Sequence, residues 1–595
     1  MIHFIISDAD TRYLWLKGDG IDDDNHLKNF QKNCNLIDPV CYLPSWGNRP
    51  KVTQDFVFEY IQSSGKKVYY CSVGLWQEAY KFFKNAGAQF TGLIENQHYF
   101  KQPISHSFEE FKDIVASWNL KFEPRPYQYE AAYNILTWKS SLSELATRAG
   151  KTLLVYLVFR YGIEYMDMKR ILMIVPSISL VKQGYEDFSS YGEFFKTECI
   201  WGGGKLVESA NLTIGTFQSL IGFLDKKSNK YNPAFFNGYD CVCVDETHRA
   251  TATQIKTIIS QPFMKNVKIK FGVTGTLPKE HTIPYYCLHA LLGAKIQTVS
   301  PKELMDAGYI SKINITQIHL NYGDIDKQRK LFVKCANYTL SDFVTEPKHM
   351  KNGKVKHEKI KLEHPEHQCM YVKKLPVAIQ MIYDNIYQKC VKDNVFNEKL
   401  FNELYTKALK PVIKESNSSN MLIIERYMAH FMDERKDYLY NKILPVCDKN
   451  TLVLAHHTEY IAELYKDILK RFPHRHVAKI TGKITSKKRE EIKQLMKDYD
   501  DVILIASYGT SSTGLTFANL QFGVLFESFK SNVINMQSLG RGLGLGEDKS
   551  EYCVFDIIDC FNQKEISNKI YLQGLAKTKI YKEQSYPYKI INVTI

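Results

Sequence analysis

Short, continuous apolar runs that alternate with helical stretches occur in two series along this 595-residue chain. The clearest runs of the first series are 170–176 and 239–245, and a second series of four runs follows residue 446. Runs of this length without polar alternation are typical of parallel strands that helices cover on both faces. The pattern therefore predicts an α/β fold with two parallel sheets in tandem.

The two series divide the chain into segments of different character. Residues between the series fit neither of them, and we interpret these residues as a linker and an insertion. The predicted segments are an N-terminal α+β accessory domain at 1–115, which is a candidate for nucleic-acid binding, a first sheet domain at 116–305, the linker and insertion at 306–445, and a second sheet domain at 446–595.

Composition restricts the class of protein. The chain has 78 basic and 64 acidic residues, a net charge of +14, which permits a polyanionic partner without identifying one. The start has neither the charged region nor the apolar stretch of a signal peptide, and no run of about eighteen uncharged apolar residues occurs. We therefore exclude the secreted and membrane classes, expect a cytoplasmic protein, and expect the 13 cysteines to be reduced.

Two segments outside the sheets contain candidate ligand-binding residues. The loop 43–51 has turn formers, Trp46 and two cations, and can hold nucleic acid or be a plain surface turn. In the insertion, His364, His367 and Cys369 lack a fourth ligand at convincing spacing. We therefore expect no structural metal there.

The strongest local signal is a candidate phosphate-binding loop at 145–152, which precedes a helical stretch. Gly150 lets the backbone approach a phosphate, Lys151 can reach the β- and γ-phosphates, and the Thr152 hydroxyl can bind Mg²⁺. The full pattern has glycine where this chain has Leu145.

An acid pair follows the apolar run that ends at Val244. The carboxyl ends of parallel strands are where open α/β sheets bind ligands. Asp245 can hold Mg²⁺ through water, and Glu246 can orient and deprotonate the attacking water. An acid pair after a strand can also be a helix cap, but its position after the phosphate loop favours the catalytic role.

The phosphate loop and the acid pair belong to a series of motifs that runs over about residues 120–560. In its order this series resembles the superfamily 2 helicases of the DExH kind, and within them the UvsW-like phage DNA helicases. The resemblance implies two RecA-like domains that bind ATP and Mg²⁺. It implies an ATP-dependent DNA helicase of repair and recombination that unwinds, branch-migrates or re-anneals DNA. Single-stranded or branched DNA is the implied partner, and RNA is less favoured because the acid motif continues to His248 rather than to an aspartate.

The resemblance also implies roles for individual residues, with Gln128 as the adenine contact and Arg541 completing the ATP site from the second domain. The implied ATP-binding residues are Arg125, Gln128, Thr147, Arg148, Ala149, Gly150, Lys151, Thr152 and Gly514. The implied catalytic residues are Lys151, Glu246, Gln537 and Arg541, and the Mg²⁺ ligands are Thr152 and Asp245. The residues implied to couple hydrolysis to movement are His248, Thr274, Gly275 and Thr276. The implied nucleic-acid contacts are Ser177, Gln183, Thr216, Gln218, His456, Ser507 and Thr510.

One departure from the family bears on catalysis. The second arginine of its sixth motif is replaced here by Gly544, and an arginine at a transferring phosphoryl group contributes about 10³–10⁵ in rate in related hydrolases. Arg148, where many members have glycine or serine, can offset part of that loss. Two other functions stay open: a double-stranded DNA translocase that does not separate strands, and a non-hydrolysing DNA-binding or annealing protein.

Overall fold

The structure is a computed structural model. It describes residues 1–7, 10–37, 53–92, 100–200, 210–247, 252–325, 327–328, 331, 343–349, 355–361, 389–392, 395–397, 400, 404, 422, 425–482, 484–508, 517, 519–528, 532–546, 549, 551–561 and 568–595. The loop around Trp46 and the residues His364, His367 and Cys369 lie outside this part of the chain. The chain divides into two compact units, one that ends at Ile310 and one that begins at Ser311.

A mixed five-stranded sheet forms the N-terminal part of the first unit, in the order β5-β6-β2-β1-β7. The strands are β1 (Ile2–Ser7), β2 (Asp10–Gly18), β3 (Leu36–Ile37), β4 (Thr53–Gln54), β5 (Val57–Ile61), β6 (Lys67–Ser72) and β7 (Phe90–Thr91), with β3 and β4 paired separately. The helices are Ile21–Cys34 and Trp76–Asn85. Apolar side chains from both helices and from one face of the sheet form a common core.

A seven-stranded parallel sheet forms the rest of the first unit, in the order β10-β11-β9-β12-β13-β8-β14. The strands are β8 (Ser140–Leu145), β9 (Ile171–Val175), β10 (Thr197–Ile200), β11 (Leu212–Thr216), β12 (Cys241–Asp245), β13 (Ile269–Thr274) and β14 (Ala294–Val299). The α-helices are Phe108–Ser117, Pro126–Thr137, Lys151–Tyr165, Ile178–Tyr191, Phe217–Gly222, Ala252–Ile259, Ile283–Leu292 and Pro301–Asp306. The neighbouring strands β9 and β12 are buried, except for Asp245 at the end of β12, as continuous apolar runs predict.

The N-terminal sheet and the first parallel sheet share part of their core through the helix Ile283–Leu292. Tyr285 and Tyr286 of this helix belong to the apolar core of the N-terminal sheet. Tyr285 also donates a hydrogen bond to Glu78 at 2.8 Å, and Ser72 donates one to the Ala290 carbonyl at 2.5 Å. The segments predicted as 1–115 and 116–305 therefore form one compact unit.

The second unit contains another seven-stranded parallel sheet, in the order β21-β22-β20-β23-β24-β15-β25. Its strands and the two hairpins are β15 (Lys312–Asn321), β16 (Phe343–His349), β17 (Val355–Lys361), β18 (Val391–Lys392), β19 (Val395–Phe396), β20 (Thr451–Ala455), β21 (Val477–Ile480), β22 (Ile503–Ser507), β23 (Phe522–Leu525), β24 (Glu551–Cys560) and β25 (Tyr588–Thr594). The helices are Asp433–Tyr438, its π-helical continuation Leu439–Ile443, Thr458–Arg471, Ser486–Asp498, Asn532–Leu539 and Lys569–Glu583. Two tandem parallel sheets of RecA-like topology confirm the predicted fold class.

Two parts of the predicted linker and insertion (306–445) belong to the second sheet domain. Strand β15 lies inside the sheet, between β24 and β25. Met428, Met432 and Leu439 from the helical stretch that precedes residue 446 are buried in the core of this sheet. In the described parts of both units, no helix is long and apolar enough to cross a membrane.

Candidate ATP site and nucleic-acid contacts

The carboxyl edge of the first parallel sheet brings the motifs of the first unit together. The ends of β8, β12 and β13 deliver the phosphate loop, the acid pair and Thr274, and β12 and β13 are neighbours, as are β13 and β8. Because all strands of this sheet are parallel, these ends lie on one side of it, where α/β sheets bind ligands.

The phosphate loop turns sharply before the helix Lys151–Tyr165. Gly150 has a φ of +70°, and a Cβ added there would lie 2.5 Å from the Gln128 amide nitrogen. Arg148 has a φ of +73°, although it has a side chain. Only glycine adopts this conformation without cost, so Gly150 is required by both backbone and space, while Arg148 is held under strain.

Gln128 supports the phosphate loop from the helix Pro126–Thr137. Its amide nitrogen donates to the carbonyls of Ala149 at 3.2 Å and Gly150 at 2.9 Å, and its amide oxygen accepts from the Arg125 backbone N–H at 2.8 Å. The side chain is 2% exposed. Every hydrogen-bonding group of this amide thus has a partner within the protein, and the adenine contact that the resemblance implies stays a prediction.

Arg125 and its neighbours form the flank of the loop that faces Tyr309. Arg125 donates to the carbonyls of Arg148 and Tyr309, both at 3.3 Å, and its guanidinium lies 4.6 Å from the centre of the Tyr309 ring. Tyr127, which the sequence did not single out, donates to the Ala149 carbonyl at 2.7 Å. These bonds fix the outer part of the loop to the helix before it.

Lys151 and the acid pair make electrostatic contact. The Lys151 ammonium lies 3.6 Å from the Glu246 carboxylate, and the Asp245 carboxylate accepts a hydrogen bond of 2.8 Å from the Glu246 backbone N–H. Burial, and then repulsion from Glu246, raise the pKa of Asp245 to about 7. Glu246 has a φ of +49°, so the backbone is also strained at the predicted general base.

The residues predicted to bind Mg²⁺ fit that ion chemically. Asp245 and Thr152 offer oxygen ligands, which Mg²⁺ prefers, and a cation would relieve the repulsion that raises the pKa of Asp245. No cluster of three metal-binding acids, histidines or cysteines occurs among the described residues.

The motif Thr274–Thr276 lies against the phosphate loop. A Cβ added to Gly275 would lie 3.5 Å from the Thr147 hydroxyl and 3.7 Å from the Lys151 ammonium. The Thr274 hydroxyl donates to the Thr276 carbonyl at 3.0 Å, which closes a tight turn. A shift of this turn would therefore directly change its contacts with the phosphate loop.

The predicted nucleic-acid contacts of the first unit lie on the same edge of the sheet, at other strands. Ser177 follows strand β9, Thr216 ends the neighbouring strand β11, and each occupies the N-cap position of the next helix. The Thr216 hydroxyl accepts a hydrogen bond from the Ser219 backbone N–H there. Gln183 and Gln218 are exposed on these helices. Asp187, which the sequence did not single out, accepts hydrogen bonds from Gln183 and from Thr152, so it links this surface to a predicted Mg²⁺ ligand.

In the second unit, the predicted contacts His456 and Ser507 follow the paired strands β20 and β22. The His456 backbone N–H donates to the buried carboxylate of Glu527, which also pairs with His430 at 2.7 Å. Hydrogen bonds and nearby cations lower the pKa of Glu527 to about 2 against the effect of burial. Sequence patterns gave no sign of this pair because His430 comes from the region predicted as insertion.

The sixth motif forms a buried turn after the helix Asn532–Leu539. Arg541 is 9% exposed, and Gln537 lies in the preceding helix. Lys549 is 6% exposed and donates to the carbonyls of Gly542 and Gly544. The Ser311 hydroxyl also donates to the Gly544 carbonyl, at 3.0 Å. Lys549 is therefore a cation of this turn that the family pattern did not predict. His248, Thr510 and Gly514 lie outside the described residues.

Comparisons with known proteins agree with the motif series. The family "Type III restriction enzyme, res subunit" matches residues 121–279. The chain is 25% identical over 543 residues to the ATP-dependent DNA helicase uvsW of Enterobacteria phage T4, and the match covers 88% of each chain. The solved structure of T4 UvsW aligns with 100% of this chain and 99% of its own at 19% identity and a TM-score of 0.40. A fragment of a putative type I restriction HsdR subunit from Vibrio vulnificus aligns with 99% of this chain and 98% of its own at 15% identity and a TM-score of 0.46. The resemblance predicted from the motifs is thus confirmed, and the chain is similar to the superfamily 2 helicases of the UvsW kind.

Proposed function

We propose that this protein is an ATP-dependent DNA helicase that unwinds, branch-migrates or re-anneals DNA. The observation that carries the proposal is the meeting of Lys151 with the acid pair Asp245–Glu246 at the carboxyl edge of a parallel sheet. The similarity to a phage DNA helicase over 88% of both chains supports the same activity. We place this activity in the cytoplasm, that of the host cell if a phage encodes the chain.

The proposed chemistry assigns a step to each group of the first unit. Lys151 and the loop N–H groups would bind the β- and γ-phosphates, and Thr152 and Asp245 would hold a Mg²⁺ ion, which would supply positive charge beside them. Glu246 orients the attacking water and accepts its proton as the water oxygen bonds to the γ-phosphorus. The bond between that phosphorus and the β–γ bridging oxygen breaks, and ADP and phosphate leave. Gln537 and Arg541 are the further catalytic residues that the resemblance implies.

Movement on nucleic acid follows from the position of the coupling turn. The turn Thr274–Thr276 touches the phosphate loop, and the helices capped by Ser177 and Thr216 start at the same edge of the sheet. Hydroxyl and amide groups of this kind bind phosphates without reading sequence. We therefore propose that hydrolysis at the loop changes how tightly these helices bind the DNA backbone. Because the contacts are to phosphates, single-stranded or branched DNA of any sequence is a substrate.

ATP hydrolysis measured without nucleic acid and with single-stranded DNA, duplex DNA, branched DNA and RNA, over a salt series, tests the proposal. We expect stimulation by DNA that weakens with salt, and loss of hydrolysis in Lys151→Ala and in Glu246→Gln. Lys302→Ala, at an exposed surface helix, is the matched control and should hydrolyse ATP normally. Hydrolysis that persists in Lys151→Ala would refute the assigned site.

A double-stranded DNA translocase is the second candidate, which the match to a restriction-enzyme subunit family over 121–279 favours. Forked and four-way DNA substrates separate the two candidates. A helicase must release a strand or move the branch in an ATP-dependent way, whereas a translocase hydrolyses ATP on duplex DNA and leaves the fork intact. A protein that binds and anneals DNA without hydrolysis would show neither result.

A further inference from the structure

The outer face of the N-terminal sheet displays five aromatic rings, from Tyr13, Trp15, Phe58, Tyr60 and Tyr70, which we call the aromatic face. The alternate residues of these strands lie on the other side of the sheet, and among them Leu14, Leu16 and Cys71 are buried in the core. Because side chains alternate along a strand, the five rings belong to the side that faces away from this core.

The rings form one continuous cluster across three neighbouring strands. Trp15 lies opposite Tyr70, and Phe58 lies opposite Tyr70 on the other side. The ring centres of Trp15 and Tyr70 are 4.8 Å apart, those of Phe58 and Tyr70 are 5.3 Å apart and stacked, and those of Trp15 and Tyr60 are 5.9 Å apart. Cross-strand aromatic pairs of this kind hold the rings in fixed positions at little entropic cost.

Much of this apolar area is in contact with solvent. Tyr60 is 52% exposed and Phe58 is 40% exposed, and Ile5, which lies opposite Trp15, is 44% exposed. Contiguous exposed apolar area on a protein surface marks a binding site more often than scattered residues do. Cross-strand stabilisation alone does not require rings that are half exposed.

The charged side chains around the aromatic face indicate which kind of molecule it binds. Lys17 follows Trp15 by two residues and so lies on the same side of β2. Among the residues of this face whose side chains are described, none is acidic. The nearby Glu59 is on the other pleat and pairs with Lys67 at 2.8 Å, and Asp19 pairs with His3 at 2.8 Å. A surface of planar rings bordered by a cation complements a polyanion that carries planar groups.

We propose that the aromatic face binds the unpaired bases of single-stranded nucleic acid by stacking. Every base has a π-face, so binding of this kind is tolerant of sequence, and each stacked base contributes substantially to affinity. Paired bases are already stacked on their neighbours, and a flat sheet cannot reach their faces in a duplex. The site is separate from the residues of the ATP site and rests on the proposed function only in that the chain acts on nucleic acid.

The test uses the full chain without nucleotide and measures its affinity for labelled oligothymidylate, oligouridylate and a duplex. We expect the double variant Phe58→Ala, Tyr60→Ala to bind the thymidylate about 10-fold or more weakly, and the duplex as before. Ile61→Ala, which alters a 59% exposed residue next to them on the same strand, is the matched control and should bind normally. The conservative pair Phe58→Tyr, Tyr60→Phe should retain affinity. Comparison of the affinities for oligothymidylate and oligouridylate shows whether the face prefers DNA or RNA.

Photocrosslinking locates the bound strand. An oligothymidylate that carries 5-iodouracil should crosslink to peptides that contain Phe58, Tyr60 or Trp15, as mapped by mass spectrometry. Unchanged thymidylate affinity in the double variant, equal losses for duplex and single strand, or crosslinks that miss these peptides would each overturn the proposal. Lys151→Ala separates this from the proposed function, because it should lose ATP hydrolysis and keep oligothymidylate affinity, whereas the double variant should keep hydrolysis in the absence of DNA.

Discussion

At the scale of single residues, two residues of the proposed ATP site have left-handed backbone conformations that favour glycine. Arg148 has a φ of +73° and Glu246 a φ of +49°. Such conformations cost about 1–3 kcal/mol each for residues with a Cβ and persist where the surroundings enforce them, often at functional sites. Sequence motifs identified both residues but carry no information on φ, since the strain results from how the loop is anchored to the neighbouring helix and strands.

Arg148 also lowers the stability of the folded protein in a second way, because its guanidinium is largely buried and its Nη2 has no hydrogen-bond partner among the described residues. Burial lowers the pKa of Arg148 to about 10. We expect Arg148→Gly to raise the thermal midpoint of the nucleotide-free protein, since both the strain and the buried charge are removed. The same variant should lower kcat for ATP about 10-fold, because a phosphate-binding cation is lost.

Thermal unfolding and steady-state ATP hydrolysis check both halves of this prediction. Lys302→Ala again serves as a surface control. If kcat stayed at the wild-type value, Arg148 would not act on the phosphates.

Asp245 makes the stability of the nucleotide-free protein depend on pH. Its folded pKa of about 7 lies above the value of 3.8 for an ordinary aspartate, so protonation favours the folded state and this benefit is lost as the pH rises towards 7. Above that pH the ionised pair destabilises the protein. We expect Asp245→Asn to raise the thermal midpoint by a few degrees at pH 8, to raise it less at pH 5, which lies between the two pKa values, and to abolish Mg²⁺-dependent hydrolysis.

Calorimetry of both proteins at the two pH values is the measurement. Asp306→Asn, at an exposed carboxylate in a helical pair with Lys302, is the control and should show no such difference between pH 5 and pH 8. An equal rise in midpoint at both pH values would contradict the assigned pKa shift.

At the scale of elements, the parallel sheets were predictable where strands are continuous apolar runs and unpredictable where they are not. Strands β9 and β20 are buried throughout, and both are apolar except for Thr451 at the start of β20. Strand β15 begins with alternating residues, Lys312 and Asn314 exposed and Ile313 and Ile315 buried, and it pairs with β24, more than 200 residues later. Its place in the sheet depends on that distant pairing, which no local pattern records.

The turn of the sixth motif is the element in which this chain departs from the helicases that it resembles. Lys549 donates to the carbonyls of Gly542 and Gly544, which follow Arg541 in the chain. Losing a charged donor to two buried carbonyls costs about 1–3 kcal/mol and loosens the turn. We expect Lys549→Met to lower kcat for ATP about 10-fold with little change in KM, because Lys151 and the phosphate loop are unaltered.

Steady-state kinetics with a nucleotide-binding measurement test the role of Lys549. Lys549→Arg should restore part of kcat, and Lys582→Met, at an exposed lysine, should have no effect. Lower stability with an unchanged kcat would show that Lys549 has no influence on Arg541.

At the scale of the whole molecule, the second unit needs residues that the sequence assigned to the linker. Strand β15 pairs with β24 from Lys312 to Asn321 and with β25 from Ile315 onwards. Arg435, which is fully buried, donates to the Asp559 carboxylate at 2.7 Å, and Tyr322 donates to the same carboxylate at 2.5 Å. A domain that began at residue 446 would leave Asp559 buried without these partners.

We therefore expect the fragment 311–595 to unfold cooperatively and the fragment 446–595 to be unable to fold. Leaving one member of a buried ion pair without its partner costs about 3–5 kcal/mol, which is a large part of the stability of a typical domain. Circular dichroism during chemical denaturation distinguishes the two fragments. Fragment 311–595 with Arg435→Met isolates the contribution of the ion pair and should unfold at a lower denaturant concentration than its parent. A cooperative transition of fragment 446–595 at the same denaturant concentration as the longer fragment would mean that β15 and Arg435 are dispensable, and the domain would then begin where the continuous apolar runs do.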